Sequence, residues 1–271
     1  MDPDELDRLL ARDPVSSVFV ASHVQQVRRS RAKHPPVYGV TDSSGELVGA
    51  CWAGTNVVPV VLDRTGADLV AGVLLRGGPR FASFFGPAEP VLALWERLRP
   101  SWPAPFHERP VQPLLVMDRD PDPGLLTGPA GEVRWATEAD FDRVLPAAAA
   151  MFTEEVGYSP LDSGAEGYRN RIRSLLRDRR SIVLTDHRGA VVFKADIGSL
   201  HGNVCQIQGV WVTPERRGLG LAVPCMAAAV ALARTRASVV SLYVNSYNAP
   251  ALATYRHVGF EHHGDFATIL M

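Results

Sequence analysis

The sequence predicts an α/β fold of α+β layers, with a mixed sheet flanked by helices arranged as two tandem modules. Three observations predict it. At 271 residues, the chain suits two domains of roughly 100–150 residues each. It is 46% hydrophobic and 21% charged, so it can bury a sizeable core, which excludes wholesale disorder. The second half then alternates short β-branched runs with helical periodicities, the order a layered α/β architecture requires.

The opening MDPDELDRLLARDP is acidic where a secretory leader would be basic and then apolar. A hairpin is expected around Val40 to Val48, with Asp42-Ser43-Ser44-Gly45 as its turn. A strand follows from Asn56 to Leu62, then a turn at Asp63-Arg64-Thr65-Gly66-Ala67. Phe81, Phe84 and Phe85 are expected to pack the core of this half or a domain interface. Asp118 to Gly131 concentrates proline, aspartate and glycine, which deny both helix and ladder bonds. The expected organisation is therefore residues 1–120, a linker at 121–130, and a second domain at 131–271.

In the second domain, Val133-Arg134-Trp135 reads as a short strand. Thr137 with Asp140 three residues on forms a capping-box variant. Phe141, Val144, Leu145, Ala148 and Phe152 recur at helical spacing, with a kink expected at Pro146. A second helix is expected near Glu166 to Arg179, buried on Tyr168, Ile172, Leu175 and Leu176. A hairpin joins Ser181–Thr185 to Ala190–Ile197 through Asp186-His187-Arg188-Gly189. Then come a strand at Val204–Val212, an Ala-rich helix at Leu221–Thr235, a strand at Val239–Val244, a helix at Ala249–His257 and a last strand at Phe266–Leu270. The hairpin at Val40–Val48 repeats at Leu184–Val192, and Gly54 matches Gly198 at the same offset. A repeat about one domain long suggests duplication; the alternative is that any tight hairpin needs Asp and Gly in its turn.

Charge and cysteine usage narrow the function classes. With 28 basic and 29 acidic residues the formal net charge is −1, so no global basic field draws nucleic acid or an anionic membrane. Cys51, Cys205 and Cys225 form no CxxC pair, so neither a disulfide framework nor a zinc site is expected, and a cytoplasmic, reducing compartment fits. The run Leu221–Ala233 is too short to cross a bilayer and contains Pro224.

The chemistry-bearing segment runs from Val210-Trp211-Val212 through Thr213-Pro214-Glu215-Arg216-Arg217 to Gly218-Leu219-Gly220-Leu221-Ala222. It passes from a strand through a Gly/Pro turn into a helix. Glycines let main-chain amides approach a ligand closely, and a helix N-terminus carries unpaired N–H groups that favour phosphate. The physical reading is a diphosphate cradle. It lacks the GK[ST] of a Walker loop and the third glycine of a dinucleotide fingerprint. Pro224, which cannot donate, requires the helix to start close before it or to open irregularly.

Arg217-Gly218-Leu219-Gly220-Leu221-Ala222 resembles the coenzyme A loop, Arg/Gln-x-x-Gly-x-Gly/Ala, of the GNAT N-acetyltransferase superfamily. Asn245-Ser246-Tyr247-Asn248, followed by Tyr255 and Gly259-Phe260, is similar to the family's second motif. The resemblance covers about residues 131–271. It extends to an actinobacterial subgroup whose N-terminal half is a degenerate GNAT-like domain. It implies acetyl-CoA as acyl donor and no metal. It also implies a primary-amine acceptor on a small molecule, peptide or protein, with no nucleic-acid or membrane partner. Oligomeric state and acceptor identity stay open.

Mapped onto this chain, the resemblance places the pantetheine arm along the strand ending Val210, Trp211 and Val212. The diphosphate would rest on Arg217, Gly218, Leu219, Gly220, Leu221 and Ala222, with Asn248 and Asn245 as pantetheine contacts. Helix capping is the alternative reading of both asparagines. Tyr255 would be the general acid for the leaving thiolate, and a strand amide of Val210 or Trp211 the oxyanion donor. Relatives carry a glutamate on the cradle strand, where this chain has Cys205-Gln206-Ile207-Gln208. Glu155, Glu154, the Met271 carboxylate and a water chain are the candidate bases. Asp196 and Lys194 could touch either substrate, with a sheet-face charge the preferred reading of Lys194. The turn at 63–67 lacks the loop motif, so the first half is expected not to bind the coenzyme. Two further readings are a non-catalytic acetyl-CoA-binding regulatory module and a tandem transferase using aminoacyl-tRNA, against which the near-zero charge argues.

Overall fold

A computed structural model describes residues 2–30, 35–162 and 165–271 of the chain. The elements run α1 (Pro3–Leu10), α2 (Pro14–Arg29), β1 (Val37–Thr41), β2 (Leu47–Ala53), β3 (Asn56–Val60), α3 (Arg64–Gly77), β4 (Ser83–Pro87), α4 (Ala88–Leu98) and β5 (His107–Met117). They continue as β6 (Arg134–Trp135), α5 (Phe141–Val156), α6 (Ala165–Arg177), β7 (Ser181–Thr185), β8 (Val191–His201), β9 (Val204–Val212), α7 (Ala222–Arg234), β10 (Val239–Tyr243), α8 (Ala249–Val258) and β11 (Glu261–Leu270). Two compact units result. The first takes the chain up to Leu115 together with Tyr243–Asn248 and His262–Met271; the second takes Val116–Leu242 and Ala249–Glu261.

The first unit has the strand order β1-β2-β3-β4-β11-β5. β1, β2 and β3 pair antiparallel, β3 and β4 parallel, and β4 and β11 antiparallel. A parallel pair needs a crossover, and α3 supplies it. α3 starts where Asp63 Oδ1 accepts from the Gly66 amide at 2.7 Å, an N-cap that satisfies an orphan donor. The turn at 63–67 is thus a helix start. Adjacent residues of a strand face opposite sides, so Phe84 and Phe85 serve two cores. Phe84 packs with Phe81, Leu74, Leu94, Trp95 and Trp102 under α3 and α4. Phe85 packs with Leu6, Leu9, Val20 and Trp52 under α1 and α2. Burying one such phenylalanine contributes about 1.5–3 kcal/mol. All three phenylalanines lie in the core of this unit.

The second unit has the order β6-β7-β8-β9-β10. Its neighbours pair antiparallel except β9 and β10, which are parallel and joined by α7. Asp140 Oδ2 accepts from the Thr137 amide at 2.8 Å, and Arg134 clamps both Asp140 oxygens at 2.8 and 2.9 Å. This capping box opens a short 3-10 turn, Glu138–Asp140, that leads into α5. α5 runs through Pro146 to Val156, although proline denies the Asp142 carbonyl its usual partner. α5 and α6 cover β7, β8 and β9 through Val144, Ala148, Ile172, Leu176, Val183, Val191 and Trp211.

The two hairpin turns match in detail. Asp42 Oδ1 accepts from the amides of Ser44 and Glu46, and Asp186 Oδ1 from those of Arg188 and Ala190. Each hairpin carries its register shift at the equivalent place, Val40/Thr41 and Leu184/Thr185. From the paired helices onward, after the extra strand β6 of the second unit, the element series is also the same in both units: two helices, a hairpin, a third strand, a crossover helix, a parallel strand and a helix. The strand that closes each series differs in placement. β11, which the sequence reading kept within 131–271, is grouped with the first unit. There Ala267 and Ile269 are fully buried in the core beneath α3 and α4.

Cys51, Cys205 and Cys225 are free and buried, and burial pushes each thiol up to about 12. Among the described residues, no helix is long and apolar enough to cross a membrane.

Candidate active site

The site in the second unit is built where β9 meets α7. β10 pairs with β9 from Val239↔Val204 to Ser241↔Gln206 and no further. β9 itself continues to Val212 against β8. From Ile207 onward, β9 therefore has an edge that β10 does not cover. An extended chain could pair with such an edge by main-chain hydrogen bonds.

β9 also carries a bulge. Gln208 pairs with Asp196 and Trp211 with Lys194, so Gly209 and Val210 together oppose Ala195. Gly209 takes φ +59°, a conformation that other residues rarely adopt. A bulge of this kind re-aims backbone groups and is frequent beside active sites.

After β9 the chain turns through Thr213–Leu221. Gly218 and Gly220 have φ of +74° and +76°, and a Cβ on either would meet nothing within 4 Å. The amides of Gly218, Leu219, Gly220, Leu221, Ala222 and Val223 donate to no backbone carbonyl among the described residues. Pro224 stands at the third position of α7, where an amide would have no intrahelical partner in any case. The helix thus starts at Ala222 without distortion by its proline. This exposed row of donors at a positive helix end fits a diphosphate. A cavity of about 170 Å³ adjoins it, lined in part by Arg216, Leu221, Leu184 and Val192.

Arg217 is tied rather than free. Its Nε donates to the Val212 carbonyl at 2.9 Å and its Nη2 to Glu154 Oε2 at 2.7 Å. Glu154 Oε1 accepts from the Trp211 indole at 3.1 Å. Both Glu154 oxygens are therefore engaged in linking the end of α5 to β9 and the loop. Among the two glutamates expected as bases, Glu154 holds structure, and Glu155 is the one electrostatically coupled to Tyr255. Tyr255 lies on α8, 93% buried, with its ring edge-on to Phe260 at 5.9 Å. Burial first, and then the charge of Glu155, push the Tyr255 phenol up, so it is a neutral donor at physiological pH.

Asn245 and Asn248 are grouped with the first unit. There Asn245 Oδ1 accepts from Gln112 at 2.8 Å, and its carbonyl accepts from the Asn248 amide at 2.9 Å. Met271 packs against the first unit's core, its amide donating to the Ala82 carbonyl at 3.0 Å. His262 and His263 face Asp265 and Asp13 respectively. Among the described residues, no three His, Cys, Asp or Glu side chains are grouped to hold a metal ion.

Lys194 corrects the sequence expectation. It is fully buried, not a sheet-face charge. Its Nζ lies 2.6 Å from Asp196 Oδ2 and donates to the Gly209 carbonyl at 3.1 Å, while Ser181 Oγ donates to Asp196 Oδ1 at 2.7 Å. The signal was present as a lone lysine inside the apolar run Val191-Val192-Phe193-Lys194-Ala195. The Glu154–Trp211–Arg217 link had no sequence signal, because its partners are 57 and 63 positions apart.

Comparison with known proteins places this geometry. Residues 148–260 match the acetyltransferase (GNAT) family, and residues 35–144 match a domain of unknown function, DUF4081. A GNAT-family acetyltransferase from Colwellia psychrerythraea shares the fold at 12% identity and a TM-score of 0.56, over 100% of this chain and 97% of that one. A GCN5-related N-acetyltransferase from Sphaerobacter thermophilus does so at 17% identity and a TM-score of 0.55, over 94% and 90%. A tandem GNAT protein from the clavulanic acid biosynthesis pathway matches at 16% identity and a TM-score of 0.54, over 97% and 94%. No curated protein matches the chain. The fold is that of GNAT acetyltransferases of known structure, and within it residues 148–260 match the GNAT acetyltransferase family model.

Proposed function

We propose that the protein is an N-acetyltransferase that moves the acetyl group of acetyl-CoA to a primary amine by direct attack on the thioester, in a reducing cytoplasmic compartment. The observation that carries this reading is the row of unpartnered amides at Gly218–Val223 beside the uncovered edge of β9. Six donors at a helix N-terminus suit the diphosphate of the coenzyme. The free edge of β9 suits its pantetheine amides. Asn245 and Asn248 are assigned to the pantetheine arm on the family resemblance alone.

In this reading the amine attacks the thioester carbonyl, and a β9 amide stabilises the oxyanion that forms. The Tyr255 phenol, kept protonated by burial, donates its proton to the departing thiolate. Glu155 or a water it orders accepts the proton lost by the amine. Glu154 acts through Arg217, holding the loop in place.

Isothermal titration of the full chain with acetyl-CoA tests the reading. Saturable binding is expected, and no heat at several hundred micromolar would end it. Tyr255→Phe should leave that affinity unchanged and slow acetylation by about 10²-fold or more. A regulatory acetyl-CoA-binding module is the second reading, favoured by the engagement of both Glu154 oxygens and by the missing strand carboxylate. It prevails if acetyl-CoA binds and no amine in a broad panel is acetylated. Retention of tRNA at low salt would instead favour aminoacyl transfer.

A further inference from the structure

We propose that Lys194 is a positioning residue for the oxyanion donor of β9: its buried ammonium holds and polarises the Gly209–Val210 peptide. The inference deepens the acetyltransferase reading and rests on it.

The argument starts from the bulge. Two residues, Gly209 and Val210, oppose the single residue Ala195. The Gly209 carbonyl is thereby available to Lys194 Nζ, which donates to it at 3.1 Å. A trans peptide places its C=O and N–H antiparallel, so the Val210 N–H points directly away from Lys194. A hydrogen bond to the carbonyl end of a peptide draws electron density from its nitrogen and strengthens the N–H as a donor. The effect is cooperative and larger at low dielectric. Lys194 is fully buried, so water does not screen its charge.

The network is built for this contact. Asp196 pairs with Lys194 at 2.6 Å and is itself held by Ser181. A Cβ on residue 209 would lie 3.2 Å from Lys194 Nζ, 3.3 Å from Asp196 Oδ2 and 3.3 Å from Met151 Cε. Glycine therefore permits both the backbone turn and the approach of the ammonium. A buried ion pair contributes little to stability compared with apolar residues of the same volume. That leaves the Gly209 carbonyl as the feature that specifically needs a cation at this position.

The test uses full-length protein and acetyl-CoA labelled with ¹³C at the thioester carbonyl. Titration calorimetry comes first on each form, then difference infrared spectroscopy of the bound thioester. In the native protein the carbonyl stretch is expected to fall on binding. Lys194→Met combined with Asp196→Asn removes both charges without stranding either, and should at least halve that shift while leaving acetyl-CoA affinity within about twofold. Ser181→Ala disturbs the same pair but keeps the lysine on Gly209, and should retain the shift. An undiminished shift in the double variant overturns the proposal. A shift lost equally in Ser181→Ala also overturns it, since general loosening then suffices. If the double variant does not fold, Lys194→Gln retains an N–H donor without charge and must show a smaller shift than the native protein; an equal shift overturns the proposal. Absence of acetyl-CoA binding by the native protein removes the acetyltransferase reading itself and this inference with it, an outcome the calorimetry separates from all the others.

Discussion

Asp140 accepts two bonds from Arg134 and one from the Thr137 amide. The Arg134 guanidinium is the main cause that holds its carboxyl well below the usual carboxylate range. The folded carboxyl thus binds its proton more weakly than the unfolded one. The stability it adds is fully present above the unfolded value of about 4 and is lost as pH falls toward the folded value. Asp140→Asn should cost about 1–2 kcal/mol at pH 7, as lost caps do, and less at pH 3, measured by denaturant titration. At Glu154 the expectation concerns binding. Glu154→Gln leaves Arg217 without its anionic partner, and acetyl-CoA affinity should fall by about three- to tenfold, the worth of one charge-assisted bond on a half-exposed pair. The placement of Tyr255 on a helix and of residues 217–222 at a strand-to-helix turn was legible in the sequence because each lies in a local pattern. The contacts of Lys194 and Glu154 were not, because a bulge and a long-range pairing create them.

The start of α7 is the element on which coenzyme binding depends in the proposed function. Its loop needs left-handed backbone at Gly218 and Gly220 with open space around both. An alanine there meets no clash but carries a left-handed conformation costing about 1–2 kcal/mol. Gly220→Ala should therefore lower stability by that amount and weaken acetyl-CoA binding by tenfold or more, since relaxation of the turn scatters the amides. Paired thermal melts and calorimetry separate the two effects. Among elements, the strands and helices from β7 to α8 were read close to their observed bounds from periodicity. The first unit was less legible: α1, α2 and α4 were not read as helices. The turn at 63–67 proved to be the capped start of α3, a reminder that Asp and Gly serve caps as readily as turns.

At the scale of the whole molecule, the two units share an element series and a detailed hairpin turn. This supports duplication as the origin of the chain. The placement of β11 could not be read in advance, because an apolar alternating strand does not encode which sheet receives it. Ile269 is fully buried with Phe84, Leu94 and Trp95, so Ile269→Ala should cost about 2–5 kcal/mol. Hydrogen exchange should show the loss of protection in β4, α3 and α4, with β7 and β8 little changed. An even loss across both units would count against their independence. The same strand constrains how the polypeptide matures. A ribosome emits the amino-terminal half first, yet that half lacks one of its own sheet members until Glu261–Leu270 has been translated. The earliest-made portion must wait, with a gap beside β4, for β11 to be made, so loss of Glu261–Leu270 would harm the first unit more than the second.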